Sequence, residues 1–288
     1  MSKTYRLVAT ATLAALAFVL QFANGALGLQ TGFGMTIDLV AVPIILALFM
    51  FGVESSIEVL AVSTIFIALF AQTGPIGAAM KFAATAPTIA VFAAYLIMRG
   101  RGTGAPAIGL AVIAAIVFSV GLFAAGGFMN SLLGENGGLL FGLLPILLML
   151  LITYAALKYF ERERRVKDAM HKPALFLPFG KKGRICPSGA NSAAFADARV
   201  LALLAVAVII IRGAAMIVSN FYFAGPLYFK ISPEQFVSFV NSSDLLFFGK
   251  GAAWYVAIFA FNALQAALEI AVAWLIAYRF GFARKYAS

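Results

Sequence analysis

The sequence predicts an all-α polytopic membrane protein, and three observations carry that reading. Of 288 residues, 63% are hydrophobic and 11% charged, with a mean hydropathy of +1.00. A soluble domain is about 45–50% apolar and about 25% charged, so this chain is built for a bilayer. Apolar stretches recur at the length a bilayer demands, about 20 residues for a core of about 30 Å at a rise of about 1.5 Å per residue. Of the 21 Lys and Arg, 17 fall in one set of alternating connections and two in the other, while Lys81 and Arg212 lie inside helices. Basic loops stay in the cytoplasm. The expectation is one transmembrane domain over residues 1–288, with about eight transmembrane helices and both termini cytoplasmic.

The same charge distribution decides what the net charge of +10 means. It reports orientation, and no basic platform interleaved with aromatics suggests nucleic acid as a partner. The single cysteine, Cys186, excludes an internal disulfide framework and a multi-cysteine metal site. The sole histidine, His171, has no ligand partner nearby in sequence and reads as a surface residue. Gly180-Lys181 and Gly249-Lys250 lack the upstream glycine and the hydroxyl of a phosphate loop. His-Glu-x-x-His and Gly-x-Ser-x-Gly do not occur either. No enzyme, cofactor or metal is expected.

The first span, Met1 to Asn24, starts with Lys3 and Arg6 and runs on as LVATATLAALAFVLQF. A basic start before an apolar stretch also fits a secretory signal, but seven further spans favour an uncleaved helix. Ala11 and Ala15 lie one turn apart beside Ala14, a spacing that lets another helix approach closely, whether a partner's or one of the chain's own. Asn24 to Met35 is a Gly-rich external loop suited to a lid. The second helix covers about 36–51 with Asp38 near its start, and a turn at Gly52 leads to the third, about 54–71, with Glu54 and Glu58 on one face. The turn QTGPIG precedes the fourth helix, about 77–98, which carries Lys81, Thr85 and Thr88 on one face and a kink site at Pro87.

Arg99 and Arg101 close this half. Two nearly all-apolar spans follow at about 106–128 and 139–160, a helical hairpin joined by an external loop with Glu135 and Asn136. The basic cytoplasmic loop 161–198 contains ERERRVKDAMHKP and FGKKGR, suited to anionic headgroups or a cytoplasmic partner. The seventh helix spans about 200–223, with Gly225-Pro226 ending it, and SPEQ marks a short helix start in the external segment beyond. The eighth, about 252–278, carries Asn262, Gln265 and Glu269 in one stripe.

Polar groups inside a membrane are costly and point to function. Asp38, Lys81, Asn220, Tyr222 and Tyr228 fall at the outer ends of their helices, and Asn262 lies about 15 Å down at 1.5 Å per residue. Together these six residues suit an outward-facing pocket in which rings stack on a planar ligand and amides read its edge. Asp38 and Lys81 are also open to a structural role, neutralising each other as a buried pair. Arg212 and Glu269 sit deeper, at matching levels of sequential helices. Either they pair structurally or they couple a proton or an ion.

Four places in the chain resemble the substrate-binding (S) component of energy-coupling factor (ECF) vitamin transporters, the riboflavin type most closely. One is ATATLAALAFVLQF, with Ala11 and Ala15 matching the family's Ala-x-x-x-Ala patch. The others are MTIDLVAVPIILALFMFG, TGPIGAAMKFAAT, and NFYFAGPLY followed by AIFAFNALQAALE, with a Phe-Asn pair at Phe261 and Asn262. They cover the first four and last two predicted helices. S components have six spans, so the hairpin 106–160 reads as an insertion into a six-helix core, followed by the basic loop.

The resemblance implies a multi-pass protein of a prokaryotic plasma membrane that captures a vitamin tightly from outside. Riboflavin or a related flavin is the first guess. Ala11 and Ala15 would contact a transmembrane coupling (T) protein driven by two ABC-type ATPases, a division of labour that agrees with the missing phosphate loop. Two other classes stay open: a self-sufficient ion-coupled secondary transporter using Arg212, Glu269 and Glu58, and a membrane scaffold whose basic loop recruits a partner.

Overall fold

The computed structural model describes residues 3–27, 29–30, 35–99, 195–243 and 253–282. The predicted hairpin 106–160, the basic loop up to residue 194, His171 and Cys186 lie outside the described residues. What is described is largely helical, and five helices are long and apolar enough to cross a membrane: Thr4–Asn24, Val53–Phe70, Gly74–Leu96, Ala198–Phe229 and Trp254–Arg279.

Helix α1 (Lys3–Leu27) runs beyond its predicted end, so Asn24 belongs to a helix and not to a loop. A short antiparallel ribbon follows, β1 (Leu29–Gln30) with β2 (Thr36–Ile37), pairing Leu29 with Ile37 and Gln30 with Thr36. The ribbon replaces the first turns of the predicted second helix. The reason is local. The Asp38 carboxylate accepts the Val40 N–H at 3.0 Å, which holds the chain in a turn, and helix α2 (Val42–Phe51) starts only where Pro43 fits its first turn. Every residue of α2 is buried. At 10 residues it is about 15 Å long, a core helix too short to be a span.

Gly52, with φ of 94°, turns the chain from α2 into α3 (Val53–Phe70), a backbone state that favours glycine. Ser56 Oγ on α3 donates to the Ile44 carbonyl of α2 at 2.9 Å. Helix α4 (Gly74–Arg99) keeps Pro87 inside it. Asp197 caps α5 (Ala198–Ser219), its side chain accepting the Arg199 N–H at 2.8 Å.

Gly225-Pro226 does not end this helix. A π turn over Asn220–Ala224 carries it into α6 (Gly225–Phe229). The Gly225 N–H reaches back to the Asn220 carbonyl, and Pro226 falls at the start of the next segment, where its missing N–H costs little. Lys230, in the left-handed region at φ of 55°, closes the segment. Helix α7 (Pro233–Ser242) opens with the capping box that SPEQ announces: Gln235 N–H donates to Ser232 Oγ at 3.2 Å, and Ser232 N–H to Gln235 Oε1 at 2.8 Å. Helix α8 (Trp254–Trp274) continues through a π turn to Arg279.

Helix α5 packs on α4 and α8, and α3 on α1, α2 and α4. Three apolar clusters result, the smallest made of Ala17, Val40, Ile67 and Ala78. At one end Phe49, Phe92, Phe195 and Tyr278 interlock, with ring centroids 5.1–5.8 Å apart. The Phe195 carbonyl accepts Trp274 Nε1–H at 2.9 Å, so the last residues of the predicted basic loop join the core. Near the ribbon, Phe223, Phe236, Ile258 and Phe261 form the second cluster.

Candidate functional site

Asp38 joins four elements through one carboxylate. Its Oδ2 accepts from Asn24 Nδ2 of α1 at 3.1 Å and from Thr36 Oγ1 of β2 at 3.5 Å, and it forms an ion pair with Lys81 of α4. Its Oδ1 takes Gln265 Nε2 of α8 at 3.4 Å. A second ion pair joins Arg212 of α5 to Glu269 of α8, with both side chains about fully buried. Gln265 Nε2 also donates to Glu269 Oε1, at 2.9 Å. Two cations and two carboxylates thus form one connected network whose formal charges cancel. That is how ionic groups persist away from water, where an unpaired charge is strongly destabilising.

Beside this network lies a cavity of about 430 Å³. Lys81, Arg212, Asn220, Tyr228, Asn262 and Gln265 provide much of its polar wall, and Phe22, Phe229 and Phe236 provide rings. Its size falls in the range of about 300–1,000 Å³ typical of small-molecule sites. Asn220 and Asn262 are held by the same device: each donates Nδ2 to the carbonyl one turn earlier, Met216 and Ile258 respectively, at 2.8 Å. Gly225 lets α7 come close, since a Cβ there would lie 2.5 Å from Phe236 Cγ. The arrangement offers hydrogen bonds of both senses next to aromatic faces, which suits a planar ligand with a polar edge.

Of the six pocket residues expected from sequence, Lys81, Asn220, Tyr228 and Asn262 line the cavity. Asp38 does not line it. It is buried and holds Lys81 from behind. Tyr222 does not line it either, since the π turn aims it elsewhere and its ring lies edge-on to Phe221 at 4.5 Å. Ala11 and Ala15 are exposed on α1, beside the stripe that buries Ala14 and Ala17.

The lining residues outside the six expected from sequence include Arg212, Gln265 and Asn24. Arg212 was set aside as too deep, yet it reaches the cavity. Gln265 belonged to the recognised stripe with Asn262, and that i, i+3 spacing was the signal for it. Asn24 was read as loop. Gln21 and Asn24, also one turn apart on an otherwise apolar helix, were the pattern that could have placed it. Among the described residues no group of three His, Cys, Asp or Glu could hold a metal ion.

The chain matches no protein-family model, no curated protein and no solved structure.

Proposed function

We propose that the chain is the membrane-embedded vitamin-binding subunit of an ECF-type uptake transporter, taking riboflavin or a related flavin. The observation that carries this reading is the convergence of Lys81, Asn220, Tyr228 and Asn262, from three separate helices, on one 430 Å³ cavity. In this reading α2, although shorter than a span, returns the chain to the side of Arg6, and both termini lie in the cytoplasm of a prokaryotic cell. Arg6 and the basic start of α1 then lie inside, and the cavity, at the other end of α1, opens outward. The protein performs no chemistry of its own. A transmembrane coupling protein and two ABC-type ATPases energise release, and α1 offers Ala11 and Ala15 on its exposed side as a close-approach surface.

Purification in mild detergent tests the assignment. A co-purified flavin spectrum, or flavin quenching in a titration at micromolar protein, is expected. The absence of any flavin binding would remove riboflavin as the ligand. Loss of binding in Lys81→Ala and Asn220→Ala is expected as well, and unchanged affinity in both would mean that the site lies elsewhere.

A second reading, an ion-coupled secondary transporter, draws on the buried Arg212–Glu269 pair and its link to Asp38. Its third sequence candidate, Glu58, lies 3.9 Å from Arg6 at the opposite end of α1 from the cavity. Uptake driven by an ion gradient in liposomes holding this protein alone would establish that reading over the first.

A further inference from the structure

Of the side-chain amides that line the cavity, four have their sense fixed by hydrogen bonds, and all four are turned the same way. Asn220 and Asn262 donate Nδ2 to backbone carbonyls. Asn24 donates Nδ2 to Thr36 Oγ1 at 3.0 Å and to Asp38 at 3.1 Å. Gln265 donates Nε2 to Asp38 and Glu269. These partners fix the sense of each amide. Carbonyls and carboxylates only accept, so a flipped amide would set oxygen against oxygen.

The other end of each amide is therefore a carbonyl oxygen, and none of the four has a hydrogen-bond partner among the described residues. The residues are buried to more than nine-tenths, with exposures of 7% for Asn24, 6% for Asn220, 1% for Asn262 and 5% for Gln265. An asparagine bonded back to its own helix is ordinary. Four buried amides on three helices, all from the wall of one cavity, form a pattern that leaves the oxygens of Asn220, Asn262 and Gln265 accessible and without protein donors, while Asn24 Oδ1 is wholly buried without one, at a cost of about 1–3 kcal/mol. The cations in the same wall are Lys81 and Arg212. Each is already neutralised by a carboxylate, while Arg212 Nε stays buried without a partner.

Building on the binding-subunit reading, we infer that this is an acceptor-lined site for a ligand without net negative charge. The ligand's N–H and O–H groups donate to Asn220, Asn262 and Gln265, and one acceptor edge faces Arg212 or Lys81. A carboxylate or phosphate ester would bring its oxygens against those three, with both nearby cations already matched by Asp38 and Glu269. Size and aromatic lining admit many planar molecules. The direction of the amides selects among them.

The test compares ligands that differ only in donors, using the detergent-purified full chain and flavin fluorescence. Riboflavin is set against N3-methylriboflavin, its tetra-O-acetyl ester and its 5′-phosphate. Masking donors is expected to weaken binding by about tenfold per buried acceptor stranded, and the phosphate to bind at least about tenfold more weakly than riboflavin. Asn262→Leu should weaken riboflavin about tenfold while changing the affinity for at least one masked analogue less than about twofold, a coupling that general loss of fold would not produce. Masked analogues or the phosphate binding as tightly as riboflavin would overturn the inference.

If riboflavin itself does not bind, the flavin assignment falls, and the inference is read from thermal stabilisation instead. Adenosine and pyridoxine, uncharged and rich in donors, are compared with nicotinate and pantothenate. Stabilisation by the uncharged pair supports an acceptor-lined site. Stabilisation by the carboxylates alone, or by none of the four, overturns it.

Discussion

Asp38 and Glu269 are the carboxylates of two different ion pairs, yet they share one donor: Gln265 Nε2 lies 3.4 Å from the first and 2.9 Å from the second. Gln265→Leu keeps most of the volume and removes that donor. A hydrogen bond to a charged group is worth about 1.5–3 kcal/mol, and a loss in that range is expected in unfolding from mixed micelles. A loss below about 0.5 kcal/mol would mean that the two pairs are energetically separate.

The Lys81–Asp38 pair should show the asymmetry of buried ions. Lys81→Met leaves a buried carboxylate with amide and hydroxyl donors only, at an expected cost of about 3–5 kcal/mol. The double variant Asp38→Leu/Lys81→Met removes both charges and should be less destabilised than Lys81→Met. Thermal inactivation midpoints of the four proteins complete the cycle, and simple additivity would contradict a coupled pair.

The two tyrosines should separate cleanly. Tyr228 lines the cavity and Tyr222 does not. Tyr228→Ala is expected to weaken ligand binding about tenfold or more, an ordinary cost for losing a stacked ring, and Tyr222→Ala less than about twofold. Titration of both variants with the same ligand checks the ordering.

Gly225 is a packing requirement. An added Cβ would meet Phe236 Cδ1 at 2.6 Å and the Asn220 carbonyl oxygen at 2.7 Å. The ring can swing, but the backbone oxygen accepts the bond that closes the π turn and has little room to move. Gly225→Ala should cost about 1–3 kcal/mol and weaken binding through displaced Asn220. A companion Phe236→Leu change is expected to recover little of either, because the backbone contact remains.

Bulk on the exposed side of α1 should act on assembly alone. Ala11→Trp and Ala15→Trp point away from the bundle, so ligand affinity and thermal midpoint are expected to stay near those of the parent. In the proposed transporter, uptake by the complete complex should fall at least about tenfold through loss of close helix approach. Undiminished uptake would place the coupling surface elsewhere.

The parts legible in the sequence are those that a bilayer dictates. Apolar length gave the long helices, and the expense of intramembrane charge singled out Lys81, Arg212 and Glu269 before any contact was known. What was missed follows from interactions that local pattern does not encode. Asn24 looks like loop because Gly25 follows it, but bonds to Thr36 and Asp38 hold it at the end of a longer helix. Residues 36–38 look helical by hydropathy, yet pairing with Leu29–Gln30 and the Asp38 turn claim them first. Depth and a partner on the last helix both argue against Arg212 as a pocket residue, but neither says how far a long side chain reaches, and Arg212 pairs with Glu269 while lining the cavity.

The widened turn at Asn220–Ala224 works as a register shift. In a regular α-helix residues eight apart are offset by about 80° around the axis, at about 100° per residue. One residue looped out in a π turn makes that separation count as seven, and the offset falls to about 20° in the opposite sense. Asn220 and Tyr228 can therefore stand on one wall of the cavity, which an uninterrupted helix of this sequence would deny them. Excising one residue of the turn would restore a regular α-helix, in which the remaining separation of seven keeps the offset near about 20° and Tyr228 on the wall, whereas excising two would turn the last segment by about 100° and carry it off. Related chains that keep this site should hold either this turn or a regular helix one residue shorter.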